Sequence, residues 1–252
     1  MYSITQSARR QDRSGRCCRQ LCAPGEVQAL QSSGREGHWL VGEELAQLAR
    51  LRSPRRRRDW LAGRLAAKRL IRRYLAHELR LSLALSQILI GYEALGQPRA
   101  SLASPAGERW PQAADLLKEL SLSLAHSEGW GLAALSGAGE IGVDLQRVRP
   151  LRVGLAQRIL SPSERARLAE RFSCREPAAL LLYWTLKEAA LKALGFGLRL
   201  PMRAVQVELA PQSGRARLRI ELPGGPRYAV AAYRSEPPGF QAAVVRLQDE
   251  PS

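Results

Sequence analysis

Aromatic residues are scarce in this chain. Phe, Trp and Tyr make up 6% of its 252 residues, with three Phe in all. They are not interleaved with the basic residues, which weakens the case for the stacking platform of a single-strand nucleic-acid binder. Long apolar runs are also missing. None approaches the roughly 18 residues of a membrane span. The first stretch, MYSITQSARRQDRSGR, is polar and basic and has no apolar core, so no secretory signal is expected. A cytoplasmic protein follows. Cysteine is limited to Cys17, Cys18, Cys22 and Cys174. The first three form a Cys-Cys-x3-Cys cluster, yet no fourth ligand lies at zinc-finger spacing, so free thiols are expected.

Acidic residues are in deficit as well, with 23 Asp and Glu against 39 Lys and Arg, for a net charge of +16. The imbalance is local. Between Arg50 and Arg80 there are 12 Arg or Lys against Asp59 and Glu78, and the first 22 residues hold five Arg against Asp12. Such a distribution calls for an anionic partner: nucleic acid, a membrane surface, a phosphorylated small molecule or an acidic protein.

Patterning divides the chain. Residues 1–22 are polar and Arg-rich and predict a disordered basic tail. Leu61, Leu65, Leu70, Ile71, Tyr74 and Leu75 form an apolar stripe that predicts a helix from about Arg55 to Leu79. Residues 96–114 contain Pro98, Pro105, Gly107 and Pro111 and read as loop. Period-two alternation at Leu120, Leu122 and Leu124 predicts a strand ending at His126-Ser127, with a turn at Ser127-Glu128-Gly129. Strands follow at Trp130 to Leu135 and Gly139 to Val148. Ser161-Pro162-Ser163-Glu164 reads as a capping box. A second helix spans about Pro177 to Leu194 and ends at Gly195-Phe196-Gly197. Four further alternating runs between Val205 and Leu247 predict antiparallel strands. Helices and hairpins in blocks argue α+β.

Two segments carry candidate chemistry. In Gly139-Glu-Ile-Gly-Val-Asp-Leu-Gln146, Asp144 and Gln146 share one strand face. An Asp in an apolar strand needs a cation to offset burial, or else a solvated face. In Tyr183-Trp-Thr-Leu-Lys-Glu-Ala-Ala-Leu-Lys192, Trp184, Glu188 and Lys192 share one helical face, with Lys187 expected beside them. The plain alternative is an exposed i, i+4 ion pair. Glu164 could be a helix cap alone, or could also reach a metal-bound water.

In order and spacing, Gly142-Val-Asp-Leu-Gln146, Ser161-Pro-Ser-Glu164 and Trp184-Thr-Leu-Lys-Glu-Ala-Ala-Leu-Lys-Ala-Leu-Gly195 resemble the 4'-phosphopantetheinyl transferase superfamily. Trp60-Leu-Ala-Gly-Arg-Leu-Ala-Ala-Lys68, Gly96-Gln-Pro98 and Leu124-Ala-His-Ser127 resemble further motifs of its longer, two-lobed, surfactin-synthetase-activating type. The resemblance implies an α+β pseudo-dimer of two similar lobes, each a small antiparallel sheet packed with helices. The lobes would be residues 23–138 and 139–252, with the active site in a cleft between them. It implies a monomer that moves the phosphopantetheine arm of coenzyme A to a serine of an apo acyl or peptidyl carrier protein, as in fatty-acid, polyketide or nonribosomal-peptide biosynthesis. No nucleic-acid or membrane partner is implied. Asp144 and Glu188, with Gln146, would hold Mg2+. Glu188 would take the serine proton, and Lys192 would neutralise phosphate. Arg58, Arg64, Lys68, His126 and Ser127 would contact the coenzyme.

Two residues depart from the family pattern. Gln146 stands where the second metal carboxylate is usually Glu, and Gln97 stands where the turn usually has Lys. A neutral amide oxygen is a weaker ligand for a hard cation. Gln146 leaves as one alternative a homologue that binds coenzyme A without transferring anything, and the charge between Arg50 and Arg80 leaves as another a nucleic-acid-binding protein built on the basic helix.

Overall fold

Helix α3 (Pro54–Glu78) begins where Ser53 accepts a hydrogen bond from the Arg56 N–H at 3.4 Å and Pro54 occupies the first turn. In this computed structural model, which describes residues 17–32, 38–150, 154–171, 177–196 and 199–248, α3 is the spine of the first of two units. The chain divides between Ala138 and Gly139. Leu61, Leu65, Leu70, Ile71 and Leu75 on α3 are fully buried. Each contributes roughly 1.5–3 kcal/mol by leaving water.

Around α3, unit 1 arranges β1 (Cys17–Cys22), α1 (Pro24–Ser32), α2 (Gly42–Arg50), β2 (Ile88–Tyr92), β3 (Pro98–Leu102), α4 (Ala106–Arg109), α5 (Pro111–Lys118), β4 (Ser121–Ser127) and β5 (Trp130–Ser136). The strands form an antiparallel sheet of order β1-β5-β4 and a hairpin β2-β3.

Two expectations for unit 1 are corrected here. Residues 17–22 are not tail. All six pair with β5, from Cys17 opposite Ser136 to Cys22 opposite Gly131. The strand is short, and its core contribution is a cysteine, so its polar and basic surroundings hide it in the sequence. Cys17, Cys18 and Cys22 are free thiols. Burial pushes the Cys22 thiol up to about 12, so it stays protonated. Residues 1–16 and Cys174 lie outside the described residues. Residues 96–114 are not one loop: Pro98 opens β3, and Pro111 opens α5. Proline is tolerated at both positions because neither requires its missing N–H.

Unit 2 contains β6 (Ile141–Arg147), α6 (Leu155–Ile159), α7 (Pro162–Arg171), α8 (Pro177–Ala193), β7 (Val205–Ala210), β8 (Arg215–Ile220), β9 (Arg227–Arg234) and β10 (Phe240–Gln248). Its antiparallel sheet has the order β6-β10-β9-β8-β7. Val205, Val207, Ala216, Leu218, Ile220, Ala229, Ala231, Ala243 and Val245 form a core with the Leu and Ala residues of α8.

Each unit is therefore α+β, with an antiparallel sheet covered by one long helix. The order of elements also repeats: strand, two short helices, long helix, then four strands, interrupted in unit 1 by α4 and α5, with the last strand lying beside the first. A buried ion cluster repeats with it. In unit 1, Glu44 accepts from the Val41 N–H at 3.0 Å and the Ile90 N–H at 3.3 Å, and meets Lys68 Nζ at 2.5 Å. In unit 2, Glu164 accepts from the Ser161 N–H at 2.8 Å and the Val207 N–H at 2.8 Å, and meets Lys187 Nζ at 2.7 Å. Each lysine also donates to two backbone carbonyls: Lys68 to Trp39 and Leu85, Lys187 to Ile159 and Met202. Buried charges survive only when paired and hydrogen-bonded in this way. Each pair pins the cap of a short helix and a neighbouring strand to the long helix.

Candidate active site

The site in unit 2 starts from a glycine. A Cβ at Gly142 would lie 1.8 Å from the Ala189 carbonyl oxygen and 2.6 Å from the Ala193 nitrogen. Only glycine lets β6 rest on the backbone of α8 this closely. Asp144 follows two residues later on the same strand face. The residue is 3% exposed, and its carboxylate accepts from Lys192 Nζ at 2.8 Å through Oδ1 and from Gln146 Nε2 at 3.0 Å through Oδ2. Lys192 also donates to the Val143 carbonyl at 3.0 Å.

Glu188 sits one helical turn before Lys192, half-buried. Its carboxyl is raised above the ordinary value, first by burial and then by the negative charge of Asp144, while Lys192 pulls it down. Strand and helix thus bring two carboxylates and one ammonium into mutual electrostatic reach. Trp184, a turn earlier, packs against the unit 2 core. Among the described residues no group of three or more His, Cys, Asp and Glu could hold a metal ion. The donors present are two carboxylates and an amide oxygen, all hard. That set fits Mg2+, which is commonly held by one or two carboxylates with waters and substrate phosphates.

Lys187 does not join this face. It is fully buried and committed to Glu164, because it lies about 100° round the helix from Glu188. Glu164 closes a reciprocal capping box with Ser161, whose Oγ accepts from the Glu164 N–H at 3.2 Å. Both carboxylate oxygens are occupied within the unit. The cap and the lysine account for Glu164, and the metal-bound-water role is dropped.

Unit 1 sorts its basic candidates differently from the sequence expectation. Arg58 is exposed near the start of α3, and His126 is exposed with half-buried Ser127 at the end of β4. Lys68, expected as a coenzyme contact, is fully buried, and its ammonium meets Glu44 and two carbonyls. Desolvation lowers its pKa, and Glu44 opposes the shift. Arg64 is 1% exposed. Its guanidinium lies 4.7 Å from the Trp60 ring and 4.9 Å from the Tyr92 ring, and donates to Gln47 Oε1 at 3.1 Å. A lysine or arginine in a family motif can serve the fold as readily as the ligand; only burial separates the two. Sequence reasoning missed Glu44, although Val41-Gly-Glu-Glu44 before a helix parallels Ser161-Pro-Ser-Glu164. It also missed Asp59, a lone acid in the arginine run.

Two carboxylates, one from a strand and one from a helix, with a lysine ammonium on the first, are a donor set that fits a hard cation and the phosphate groups it would neutralise. Residues 140–245 match the 4'-phosphopantetheinyl transferase superfamily. The chain is 30% identical over 174 residues to the 4'-phosphopantetheinyl transferase HetI of Nostoc sp., covering 68% of this chain and 66% of that protein. It is 27% identical over 128 residues to the 4'-phosphopantetheinyl transferase Sfp of Bacillus subtilis, covering 51% and 55%. Among solved structures it is similar to holo-(acyl-carrier-protein) synthase from Neisseria meningitidis, with 25% identity over 48% of this chain and 94% of that one and a TM-score of 0.39. The chain belongs to the 4'-phosphopantetheinyl transferase superfamily. The chain spans 66% and 55% of the lengths of these two curated relatives.

Proposed function

We propose that this protein transfers the 4'-phosphopantetheine arm of coenzyme A to a serine of an apo acyl or peptidyl carrier protein. The observation that carries the proposal is the cluster of Asp144, Glu188 and Lys192 on the seam of β6 and α8. In the reaction the serine oxygen forms a bond to the phosphorus that bears the pantetheine arm. The bond from that phosphorus to the bridging pyrophosphate oxygen breaks, and 3',5'-ADP leaves. Little covalent chemistry falls to the protein, so positioning and charge neutralisation dominate.

Asp144 and Glu188 would hold Mg2+, and Gln146 could add its amide oxygen. When bound, the ion supplies positive charge to the pyrophosphate oxygens. Glu188, or a water that it orients, accepts the serine proton. Lys192 is 31% exposed at its side chain and can turn its ammonium toward a phosphate oxygen. In unit 1, Arg58, His126 and Ser127 are proposed contacts for anionic groups of the coenzyme. A monomer working in the cytoplasm, with no nucleic-acid or membrane partner, completes the reading.

The test is incubation with coenzyme A, Mg2+ and several apo carrier proteins, followed by intact-mass measurement. A carrier heavier by one phosphopantetheine arm is expected. No mass gain on any carrier would overturn transfer. One observation favours a second reading: both oxygens of Asp144 already have donors, one of them the Gln146 amide. Coenzyme A binding without any mass gain would identify a homologue that binds but does not transfer.

A further inference from the structure

The turn between β4 and β5 holds a residue in a conformation that its side chain disfavours. Glu128 has φ 51° and Gly129 has φ 80°. Ser127 and Trp130 are paired across the loop, so this is a two-residue hairpin turn with both residues left-handed. Asn or Asp usually takes the first position, and the longer Glu is sterically disfavoured there.

Three contacts hold the turn in place. The Gly129 N–H donates to Asp59 Oδ1 at 2.5 Å. Arg55 Nη2 donates to Glu128 Oε1 at 2.8 Å, and Arg55 Nε lies 3.9 Å from Asp59 Oδ2. On its other side, a Cβ at Gly129 would come within 3.3 Å of the Pro24 Cβ at the start of α1. Asp59 is itself 8% exposed. A carboxylate so buried is maintained by the hydrogen bond and the cation it meets.

His126 and Ser127 lead directly into this turn. His126 pairs with Gly131 in the ladder. A Cβ at Gly131 would lie 2.1 Å from the Ala62 carbonyl oxygen, and one at Gly63 would lie 3.7 Å from His126 Cδ2. The strand end therefore rests on α3 at Ala62–Gly63, one turn beyond Arg58 and Asp59. Glycines allow the approach, and Asp59 fixes its register along the helix.

We infer that Asp59 is a positioning residue for coenzyme binding. Through the Gly129 amide and Arg55 it locks the hairpin turn, and so holds His126 and Ser127 against the arginine-bearing start of α3. Asp59 touches no substrate in this assignment. The inference rests on the coenzyme-binding reading given above, and its test separates the two.

Titration calorimetry with coenzyme A, on the full chain, supplies that test. Wild type should bind. Asp59→Ala should bind about tenfold more weakly, since small displacements of binding groups carry losses of this order. At saturating coenzyme A its kcat should stay within about twofold of wild type. Asp59→Asn keeps an oxygen for the Gly129 N–H and should recover most of the affinity. If Asp59→Ala is folded and binds as wild type does, the inference is overturned, even if its thermal midpoint falls. If Asp59→Ala does not fold, Asp59→Asn decides. Its neutral oxygen is a weaker acceptor, so about threefold weaker binding and shifted His126 ring resonances are expected. Wild-type affinity with unshifted resonances overturns the inference. A wild type that binds no coenzyme A overturns the functional reading and this inference with it.

Discussion

Two regions of the molecule share one construction and differ in their chemistry. In unit 1 a glutamate, Glu44, and a helix lysine, Lys68, are buried together, and a glycine, Gly131, seats a strand on helix α3. In unit 2 Glu164, Lys187, Gly142 and helix α8 do the same. Beside the first glycine contact lies His126, near the start of an arginine-rich helix. Beside the second lie two carboxylates and a lysine. The repeated parts are those that hold helix to sheet. Of the parts that differ, His126 is exposed, Glu188 and Lys192 are half-buried, and Asp144 is buried beside Lys192. A buried ion pair tolerates no substitution that leaves one charge alone, whereas a surface position can change freely.

The largest effect should come from the shared part. Lys187→Met leaves the buried Glu164 without its ammonium, and Lys68→Met leaves the buried Glu44 with only Arg64 at 3.8 Å, each at a cost of up to about 3–5 kcal/mol. Denaturant unfolding should report similar losses for both. A loss of coenzyme affinity in Lys68→Met at unchanged stability would return Lys68 to the coenzyme site and break the equivalence.

Next come the differing parts. Asp144→Ala should lower transfer by at least about a hundredfold, as loss of a key electrostatic group does, with little change in the denaturation midpoint. Full activity in Asp144→Ala would sink the metal assignment. Third, Gly131→Ala and Gly142→Ala should each destabilise by at least about 1–3 kcal/mol, because backbone must move to admit the methyl group. Gly142→Ala should also weaken Mn2+ binding, measured by electron paramagnetic resonance, while Gly131→Ala should not. Equal metal affinity in the two variants would show that the seating of β6 does not organise the carboxylates.

The smallest effect tests the electrostatics of Glu188. Burial and Asp144 raise its carboxyl, so the native state holds this proton more tightly than the unfolded chain does. Its contribution to stability is therefore present below the unfolded value and falls as pH rises through the native one. Glu188→Gln should melt with wild type at about pH 4 and slightly above it at about pH 8. Saturating Mg2+ should reverse the order at the higher pH, since a ligand at a hundred times its Kd adds about 2.7 kcal/mol to the form that binds it. No reversal would argue that Glu188 is not a ligand.

Much of this was legible in the chain itself. The stripe from Leu61 to Leu75, the capping box at Ser161 and the alternation from Val205 onward are local patterns with periods of 3.6 and 2. They determine helices and strands wherever the chain is placed. The spacing of Trp184, Glu188 and Lys192 likewise determines that they share a helix face. Strand β1 was not legible, because a six-residue strand whose buried end is a cysteine carries little periodic signal.

The opposite fates of Lys187 and Lys192 were not local either. Both are lysines on one apolar helix, and only the neighbours packed around each decide its role. One met Glu164 in the core, and the other met Asp144 at the seam. Arg58, Arg64 and Lys68 divide in the same way, within 11 residues of one helix. The sequence determined by itself which charges the protein owns and on which elements they ride. Tertiary structure alone decided which are buried as scaffold and which remain for chemistry, because desolvation and pairing depend on residues distant in the chain.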